Sequence, residues 1–291
     1  MKHTLTNADC LKHLERCSVP CGGRWDTIFA DPPDNIGLGY NEYDDSLPVA
    51  EYRDRLREWL YAFINVANAV WFSYNSRWTT AVAGIAEEIV EHNGNYSARK
   101  AEKQFIEAKF CVQTFTFGQH NHHDLGNCHR PLLRLRWKEA LLFPDAIRVE
   151  SERQKIGDKR ADPRGRVPGD VFDFPRVTGN SKQRRTWHKT QLHEGLVERC
   201  LRLTTPPDGY VLDPFGGTGT TLRVAKRCGF NCDLIELDST YCANIAGEHD
   251  MKAQRTKPPT WTLEYAVAQP EDLPMFGGRH DTETLGAKSQ S

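Results

Sequence analysis

The sequence predicts an α/β protein with a doubly wound, mainly parallel sheet and an inserted region. Strand-like and helix-like segments alternate on both sides of residues 111–189, a pattern typical of parallel sheets covered by helices. Two short apolar runs each end in an aspartate, Asp31 and Asp213, at predicted strand ends. A chain of 291 residues is long enough for one large domain of this class or for one domain with a sizeable insertion.

Apolar spacing locates the elements before the insertion. The predicted order is a short helix within 7–22, a strand at 26–31, an irregular loop at 34–47, a helix at 48–67, a strand at 69–74 and a helix at 79–91.

The middle of the chain is less regular. Residues 112–117 are β-like and 139–143 are their predicted neighbour, with a polar, turn-rich segment at 119–131 between them. Residues 145–187 show no sustained periodicity and are typical of a ligand-facing or partly disordered loop.

Regular alternation returns near residue 190. The predicted elements are a helix at 190–203, a strand at 210–212, a helix at 220–228, a strand at 232–237 and a helix at 240–248. The tail after about residue 255 is rich in Pro, Gly and Thr, which predicts loose order.

Composition excludes several protein classes. Hydrophobic residues make up 38% and charged residues 26%, and no apolar run approaches the roughly 20 residues that span a bilayer. The first residues lack the apolar core of a signal peptide. We therefore expect a cytoplasmic protein without membrane contact, whose nine cysteines are reduced thiols.

Charge is distributed unevenly. The net charge is −1, but residues 153–189 hold eleven Lys and Arg against four acidic residues, a local excess of +7. A solvated loop and a polyanion-binding surface both fit this excess, and its position near a possible active site favours the second.

The stretch Asp31-Pro32-Pro33-Asp34 forms a stiff acceptor cluster at a strand end. The proline rings fix φ and remove two N–H donors, so backbone carbonyls and the Asp31 carboxylate present acceptors with few competing donors. Such a cluster suits a ligand with an amino group.

A glycine-rich turn, residues 213–220, connects a strand to a helix and predicts close approach of backbone to a nucleotide-like ligand. Glu236 or Asp238, about 20 residues beyond the turn, is placed to bind ribose hydroxyls. Neither G-x-G-x-x-G nor the phosphate-binding loop is matched. A nucleoside cofactor without phosphate is therefore favoured.

Several motifs together resemble the amino-group DNA methyltransferases. Asp213-Pro214-Phe215-Gly216-Gly217-Thr218-Gly219-Thr220 resembles their D-P-F-x-G-[ST]-G-T cofactor motif, and Asp31-Pro32-Pro33-Asp34 their [DNS]-P-P-[YFW] catalytic motif. Weaker matches are Asp9-Cys10 to G-D-C, 170–176 to D-V-W-x-x-P-R, 188–191 to H-P-x-Q-K-P, and 235–238 to I-E-x-D. The matches occur between about 7 and 246, in the motif order of the family's β group.

The resemblance implies an S-adenosylmethionine-dependent, Rossmann-like fold that methylates a flipped base in double-stranded DNA by direct in-line transfer. It implies three regions: a catalytic half at 1–110, a target-recognition region and basic loop at 111–189, and a cofactor-binding half at 190–255, followed by the tail at 256–291. Asp at position 31 is the adenine-like choice, which favours adenine N6 over cytosine N4.

The predicted site residues follow from these matches. The catalytic residues are Asp31, Pro32, Pro33 and Asp34. The residues expected to bind the cofactor are Asp9, Cys10, Thr190, Gln191, Asp213, Phe215, Gly217, Thr218, Gly219, Thr220, Glu236 and Asp238. The residues expected to contact nucleic acid are Tyr40, Tyr43, Arg130, Arg134, Arg164, Arg166, Lys182, Arg184 and Arg185. A structural ion pair is the open alternative for Arg130 and Arg134.

The chain departs from the family at Asp34, where an aromatic ring normally stacks on the flipped base. Tyr40 or Tyr43 replaces that ring, the base is held differently, or the protein is an inactive DNA-binding relative. The H-P-x-Q-K-P segment also differs, with Lys189, Leu192 and His193 in place of Pro, Lys and Pro.

Further alternatives stay open. The His- and Cys-containing segment 120–129 has ligand types suited to zinc but no standard spacing, so a polar DNA-facing loop without metal is the preferred interpretation. RNA and protein amino groups are less favoured substrates, since the related glutamine methyltransferases usually carry Asn at the first motif position. The chain is expected to be a monomer or homodimer. The absence of a visible nuclease motif favours a solitary enzyme, although a restriction–modification partner is left open.

Overall fold

The computed structural model describes residues 1–16, 25–96, 105–119, 121–251 and 254–255. Nine strands in these ranges form one sheet in the order β6-β4-β5-β3-β2-β7-β8-β1-β9. The strands are β1 His3–Asn7, β2 Trp25–Ala30, β3 Ala67–Ser73, β4 Ile106–Gln119, β5 Asn127–Trp137, β6 Val171–Asp173, β7 Tyr210–Asp213, β8 Asn231–Glu236 and β9 Gln254–Arg255.

Helices connect the strands on both faces. They are α1 Cys10–Arg16, α2 Val49–Val66, α3 Thr79–Tyr96, α4 Glu152–Lys155, α5 Glu194–Thr204, α6 Thr220–Cys228 and α7 Ser239–His249, with 3₁₀ turns at Ser76–Trp78 and Pro144–Ile147. Strands β3, β2, β7, β8 and β1 pair in parallel, whereas β5 is antiparallel to both β3 and β4.

The sheet separates two apolar layers because neighbouring residues of a strand point to opposite faces. On β2, Ile28 belongs to the layer formed with α1, α2 and α3, and Phe29 to the layer formed with α5, α6 and α7. Both side chains are at most 2% exposed. A central strand buried on both faces needs a continuous apolar run, which is what β2 and β3 contain.

The strand order reverses between β2 and β7. The connection from β2 through α2 leads outward to β3, whereas the connection from β7 through α6 leads to β8 on the other side. Ligands of doubly wound sheets bind at such a switch point, outside the carboxyl ends of the strands. Asp31 and Asp213 both lie at this position.

The predicted α/β class is confirmed, and helix α6 at 220–228 has its predicted bounds. Two glycines in the left-handed region, Gly219 (φ 72°) and Gly229 (φ 82°), fix these bounds because they cap the helix at both ends. Helix α1 begins at Cys10 inside the predicted 7–22, and residues 17–24 lie outside the described ranges.

Several predictions for other elements differ from the structure. The partner of β4 is 127–137 rather than 139–143, and the segment 127–131, predicted as a turn-rich loop, is part of strand β5. The predicted irregular region contains strand β6, which pairs with β4. Strand β1 precedes the first predicted element and joins β8. The helix predicted from 190 begins at Glu194, where His193 is its N-cap.

Two further expectations concern the whole chain. The cysteines within the described ranges are free thiols, and most are buried. No helix in these ranges is long and apolar enough to cross a membrane. The tail predicted at 256–291 lies outside the described residues.

Candidate active site

A cleft of about 780 Å³ opens at the carboxyl ends of β2 and β7. It brings together two motifs from opposite sides of the inserted region, Asp31–Asp34 and residues 213–218. Other predicted site residues that line it are Asp9, Cys10, Tyr40, Tyr43, Arg130, Thr190, Gln191, Thr220, Glu236 and Asp238.

Backbone anchors hold the Asp31–Asp34 segment. The hydroxyl of Tyr52, a fully buried residue of α2, donates to the Pro33 carbonyl at 2.5 Å. The indole N–H of Trp78 donates to the Asp34 carbonyl at 2.7 Å. Two aromatic side chains from the core therefore fix the turn after β2, leaving its acidic side chains toward the cleft.

Arg130 of β5 joins the two acidic side chains of this segment. Its Nη2 donates to Asp31 Oδ1 at 2.7 Å and to Asp34 Oδ1 at 3.0 Å, and its Nη1 donates to Asp34 Oδ2 at 2.7 Å. Its Nε donates to the Ser73 hydroxyl at 2.6 Å, and Ser73 also hydrogen-bonds Asp31. Of the two alternatives for Arg130, the structure contains the ion pair.

Burial and the neighbouring charges have opposing effects on the pKa values of Asp31 and Arg130. Burial raises the pKa of Asp31, Arg130 opposes the increase, and Asp34 adds to it. Burial lowers the pKa of the Arg130 guanidinium, but the two carboxylates together raise it above its ordinary value. Arg130 therefore remains charged and favours the ionised form of Asp31.

The glycine-rich turn is shaped by two positive φ angles, 50° at Gly217 and 72° at Gly219. The Asp213 carboxylate accepts from the Phe215 N–H at 2.9 Å and so closes the turn at its start. Burial raises the pKa of Asp213 to about 7. Gly219 faces Ile245 of α7 rather than the cleft, since a Cβ there would lie 3.4 Å from that side chain.

Glu236 connects the end of β8 to the glycine turn. Its Oε2 accepts from Gly217 N–H at 2.7 Å and its Oε1 from Asp238 N–H at 2.8 Å. Burial raises its pKa to about 7, and the charges of Asp213 and Asp238 add to the increase. The cleft floor therefore contains acidic groups whose ionised forms a positively charged ligand would stabilise.

The loop after the Asp31–Asp34 segment is organised by Asp45, which is 2% exposed. Its carboxylate accepts three backbone N–H bonds, from Asn35, Ile36 and Leu38. Asn35 adopts φ 55° at the start of this loop. Buried polar groups of this kind replace the regular hydrogen bonds that a loop lacks.

The same loop reaches across the cleft to α7. Asp238 Oδ1 accepts from Thr240 and Tyr241 N–H as the N-cap of α7, while its Oδ2 accepts from Asn41 Nδ2 at 2.7 Å. Glu42 accepts from the Ser239 N–H at 3.0 Å and its hydroxyl at 2.6 Å. Asn41 and Glu42 were not among the predicted site residues, because only the folded chain brings them to α7.

Trp187, His188 and Tyr241, which were not among the predicted site residues, form an aromatic cluster beside the glycine turn, although His188 begins the 188–191 motif match. His188 lies 4.5 Å from Tyr241 and 6.2 Å from Trp187 between ring centroids, and Tyr40 lies 6.0 Å from His188. Burial lowers the pKa of His188. His188 and Tyr241 line the cleft and supply aromatic surface next to Asp238.

Thr190 and Gln191 follow this cluster and also line the cleft. Tyr40 hydrogen-bonds Thr190, and the Gln191 side chain ties Arg185 N–H and the Gln183 carbonyl together. On the opposite wall, burial raises the pKa of the Cys10 thiol, so it stays protonated.

The predicted nucleic-acid contacts fall into distinct groups. Arg134 is 9% exposed, and its guanidinium lies 5.8 Å from the Trp71 ring centroid. Because the side chain is buried, it is not available for the predicted DNA contact. Arg185 pairs with Glu248, and Arg184 donates to the His188 carbonyl. Both are only partly exposed, and Arg185 joins the loop to α7, whereas the Arg184 bond lies within the loop.

The remaining basic residues are exposed but lie outside the cleft lining. They are Arg164, which pairs with Asp162, together with Arg166 and Lys182. Tyr43 packs against the core layer of α1–α3 at the cleft rim. Within the described ranges, which leave out His120, no group of three or more His, Cys, Asp or Glu is arranged to hold a metal ion.

Comparison with known proteins places this geometry in a family. Residues 25–247 match the family model described as DNA methylase, of the N6/N4 type. The DNA adenine methyltransferase YhdJ of Escherichia coli K12 is 30% identical over 82% of this chain and 79% of its own length.

Two solved structures share the fold. The M1.HpyAVI–SAM complex aligns with a TM-score of 0.54 and 19% identity, covering 86% of this chain and all of that one. The cytosine-N4-specific PvuII DNA methyltransferase aligns with a TM-score of 0.56 and 16% identity, covering 84% and 86%. Because the family model matches most of this chain, the chain belongs to the N6/N4 DNA methylase family, whose methyl donor is S-adenosylmethionine.

Proposed function

We propose that this protein methylates the N6 amino group of adenine in double-stranded DNA. The observation that carries the proposal is the meeting of the Asp31–Asp34 segment and the glycine turn at one switch point, within one cleft. An amine acceptor and a nucleoside site are then adjacent, as direct transfer between two bound ligands requires.

The acidic side chains and backbone groups of the cleft fit S-adenosylmethionine, which carries a positive charge and a ribose. When bound, this cofactor supplies a methyl group on a sulfonium. Glu236 is suited to the ribose hydroxyls, and Phe215, Gly217 and Thr218 to backbone contact. Asp9, Cys10, Thr190 and Gln191 form the walls, and His188 and Tyr241 offer aromatic faces to a purine.

Asp31 is the acceptor for the target amine. An exocyclic amine is a weak nucleophile because its lone pair is delocalised into the ring, and hydrogen bonds from its N–H groups to Asp31 and the Pro32 carbonyl favour tetrahedral nitrogen. Positioning and electrostatics then account for rate enhancement, and no protein nucleophile is required. A duplex base reaches the cleft only after flipping.

Adenine is favoured by the aspartate at position 31 and by similarity to an adenine methyltransferase at 30% identity. Cytosine N4 is the alternative, because a cytosine-N4 enzyme shares the fold. Nucleoside digestion of methylated DNA separates the two, since N6-methyldeoxyadenosine and N4-methyldeoxycytidine differ in mass and retention.

We assign DNA contact to the region 111–189, with the exposed Arg164, Arg166 and Lys182 meeting the phosphates. The catalytic half at 1–110 and the cofactor half at 190–255 complete the proposed division. The protein would then act on DNA in the cytoplasm, as a monomer or homodimer, with or without a restriction partner.

Replacing Asp31 by Ala tests the mechanism. We expect labelled-methyl transfer to mixed-sequence DNA to fall by about 1,000-fold or more, as for loss of a central catalytic group, while S-adenosylmethionine affinity stays near wild type. The control is Asp54→Ala on α2, whose side chain is 71% exposed. Unchanged methyl transfer in the Asp31→Ala variant would refute the proposed mechanism. DNA binding without transfer by the wild type would instead indicate an inactive relative.

A further inference from the structure

We infer that Arg130, together with Asp34, is a positioning pair for the transfer site that keeps Asp31 ionised and correctly oriented. The inference rests on the proposed function, because it assigns a role within that same site. It concerns the position where the family's aromatic residue is replaced by a second carboxylate.

The first argument is the geometry of the guanidinium. Arg130 uses four of its five N–H donors within the network: Nε to Ser73, one Nη1 hydrogen to Asp34, and both Nη2 hydrogens to the two aspartates. Ser73 bonds Asp31 in turn. The Asp31 carboxylate is therefore held by two groups that also contact each other, which fixes its orientation.

The second argument is charge. Two carboxylates and one guanidinium have a net charge of −1, the same as one aspartate in a motif that carries an aromatic residue instead of Asp34. The three side chains are only 13–26% exposed, so water screens them weakly. Without Arg130, the two carboxylates would repel each other and one would bind a proton.

The third argument is location. Arg130 lies on β5, and its contacts join that antiparallel strand to the segment after β2 and to Ser73 at the end of β3. Trp78 and Tyr52 hold the backbone of the same segment independently. Removal of the guanidinium should therefore disturb the acidic side chains more than the backbone that carries them.

Other titratable groups around Asp31 also influence the pH dependence of the rate. Asp213 of β7 and Tyr40 of the loop after the motif face Asp31, and Tyr52 of α2 faces Asp34. A carboxyl group and phenols are either neutral or negative, and burial raises the pKa values of all three, so none of these groups replaces the positive charge of Arg130. Loss of Arg130 must therefore raise the pKa of Asp31.

The test compares Arg130→Met, Arg130→Lys and the double variant Arg130→Met/Asp34→Asn in the full-length protein. We expect Arg130→Met to lower kcat by about 100-fold or more and to move the acid limb of the pH–rate profile upward by about one pH unit or more. Arg130→Lys retains the charge, so its acid limb should stay near the wild-type position although its rate falls.

The double variant removes the extra carboxylate together with its partner. It should recover about tenfold of the rate lost in Arg130→Met and return the acid limb toward the wild-type pH, since coupled residues are not additive. The matched control is Arg134→Met, which removes another buried arginine from the same strand without touching Asp31. Thermal melting and S-adenosylmethionine affinity report whether each variant is folded.

A direct titration separates this inference from the proposed function. The ¹³C carboxyl resonance of Asp31 should titrate at higher pH in Arg130→Met than in the wild type or in Arg134→Met, whether or not DNA is methylated. An unmoved resonance, or an Arg130→Met variant with wild-type rate and profile, would overturn the inference. A wild type that transfers no methyl group would refute only the proposed function.

Discussion

Glu236→Gln is the sharpest test of the cofactor half of the cleft. The wild-type carboxylate accepts one backbone N–H from Gly217 and one from Asp238, at 2.7 and 2.8 Å. A glutamine side chain has one acceptor oxygen, so its NH₂ group must face one of these donors. A hydrogen bond from a ribose hydroxyl to a charged acceptor contributes about 1.5–3 kcal/mol, so loss of the Glu236 charge should lower S-adenosylmethionine affinity by roughly 10- to 100-fold.

Isothermal titration calorimetry at pH 8 measures this effect, because the wild-type carboxyl, with a pKa of about 7, is then mostly ionised. Wild-type affinity should weaken as the pH falls to 6, and the variant should lose the part of this dependence that Glu236 contributes. Glu152→Gln, with a side chain that is 77% exposed, serves as the matched control. Affinity within about threefold of wild type, with the same pH dependence, would refute the role assigned to Glu236.

Two predictions concern stability. Tyr52→Phe removes the buried donor to the Pro33 carbonyl and should lower the free energy of unfolding by about 1–2 kcal/mol in urea, with slower methyl transfer; an unchanged midpoint would contradict the anchoring role. Burial raises the pKa of Asp213 to about 7, above its unfolded value, so the folded state binds the proton more tightly. The contribution of Asp213 to the free energy of unfolding is therefore fully present below about pH 4. It declines by up to about 4 kcal/mol as the pH rises through 7. Asp213→Asn should flatten the pH dependence of unfolding, and a variant as steep as wild type would count against this explanation.

The sequence predicted the parallel half of the fold well because its strands are buried on both faces. Residues 28–30 and 69–72 are continuous apolar runs that are followed by Asp31 and Ser73, so both their type and their position were readable. Strand β5 was misplaced because it contains Arg130, Arg134 and Arg136, and arginines that the fold largely encloses look like solvent-facing positions in the sequence. Their burial depends on partners elsewhere, such as Glu107 and the two motif aspartates.

The site was predictable where one local motif carries the chemistry. Asp31–Asp34 and the glycine turn were found for that reason, and both line the cleft. The contacts that complete the site are long-range: Arg130 is 96 positions from Asp34, and Asn41 is 197 positions from Asp238. No local pattern encodes such pairs. The contact that accompanies Asp34, at a position where the family carries an aromatic residue, was therefore found only in the structure.

The position of β1 has a consequence for how the protein is made. Its neighbours in the sheet are β8 and β9, and the bond from Thr4 to Asp233 joins residues 229 positions apart. During synthesis the edges of β1 and the β7-facing edge of β2 therefore stay without their partners until β7, β8 and β9 have emerged. Such non-local pairing slows folding and exposes strand edges to aggregation. The two halves of the cleft consequently become one site only after β7 and β8 have been synthesised.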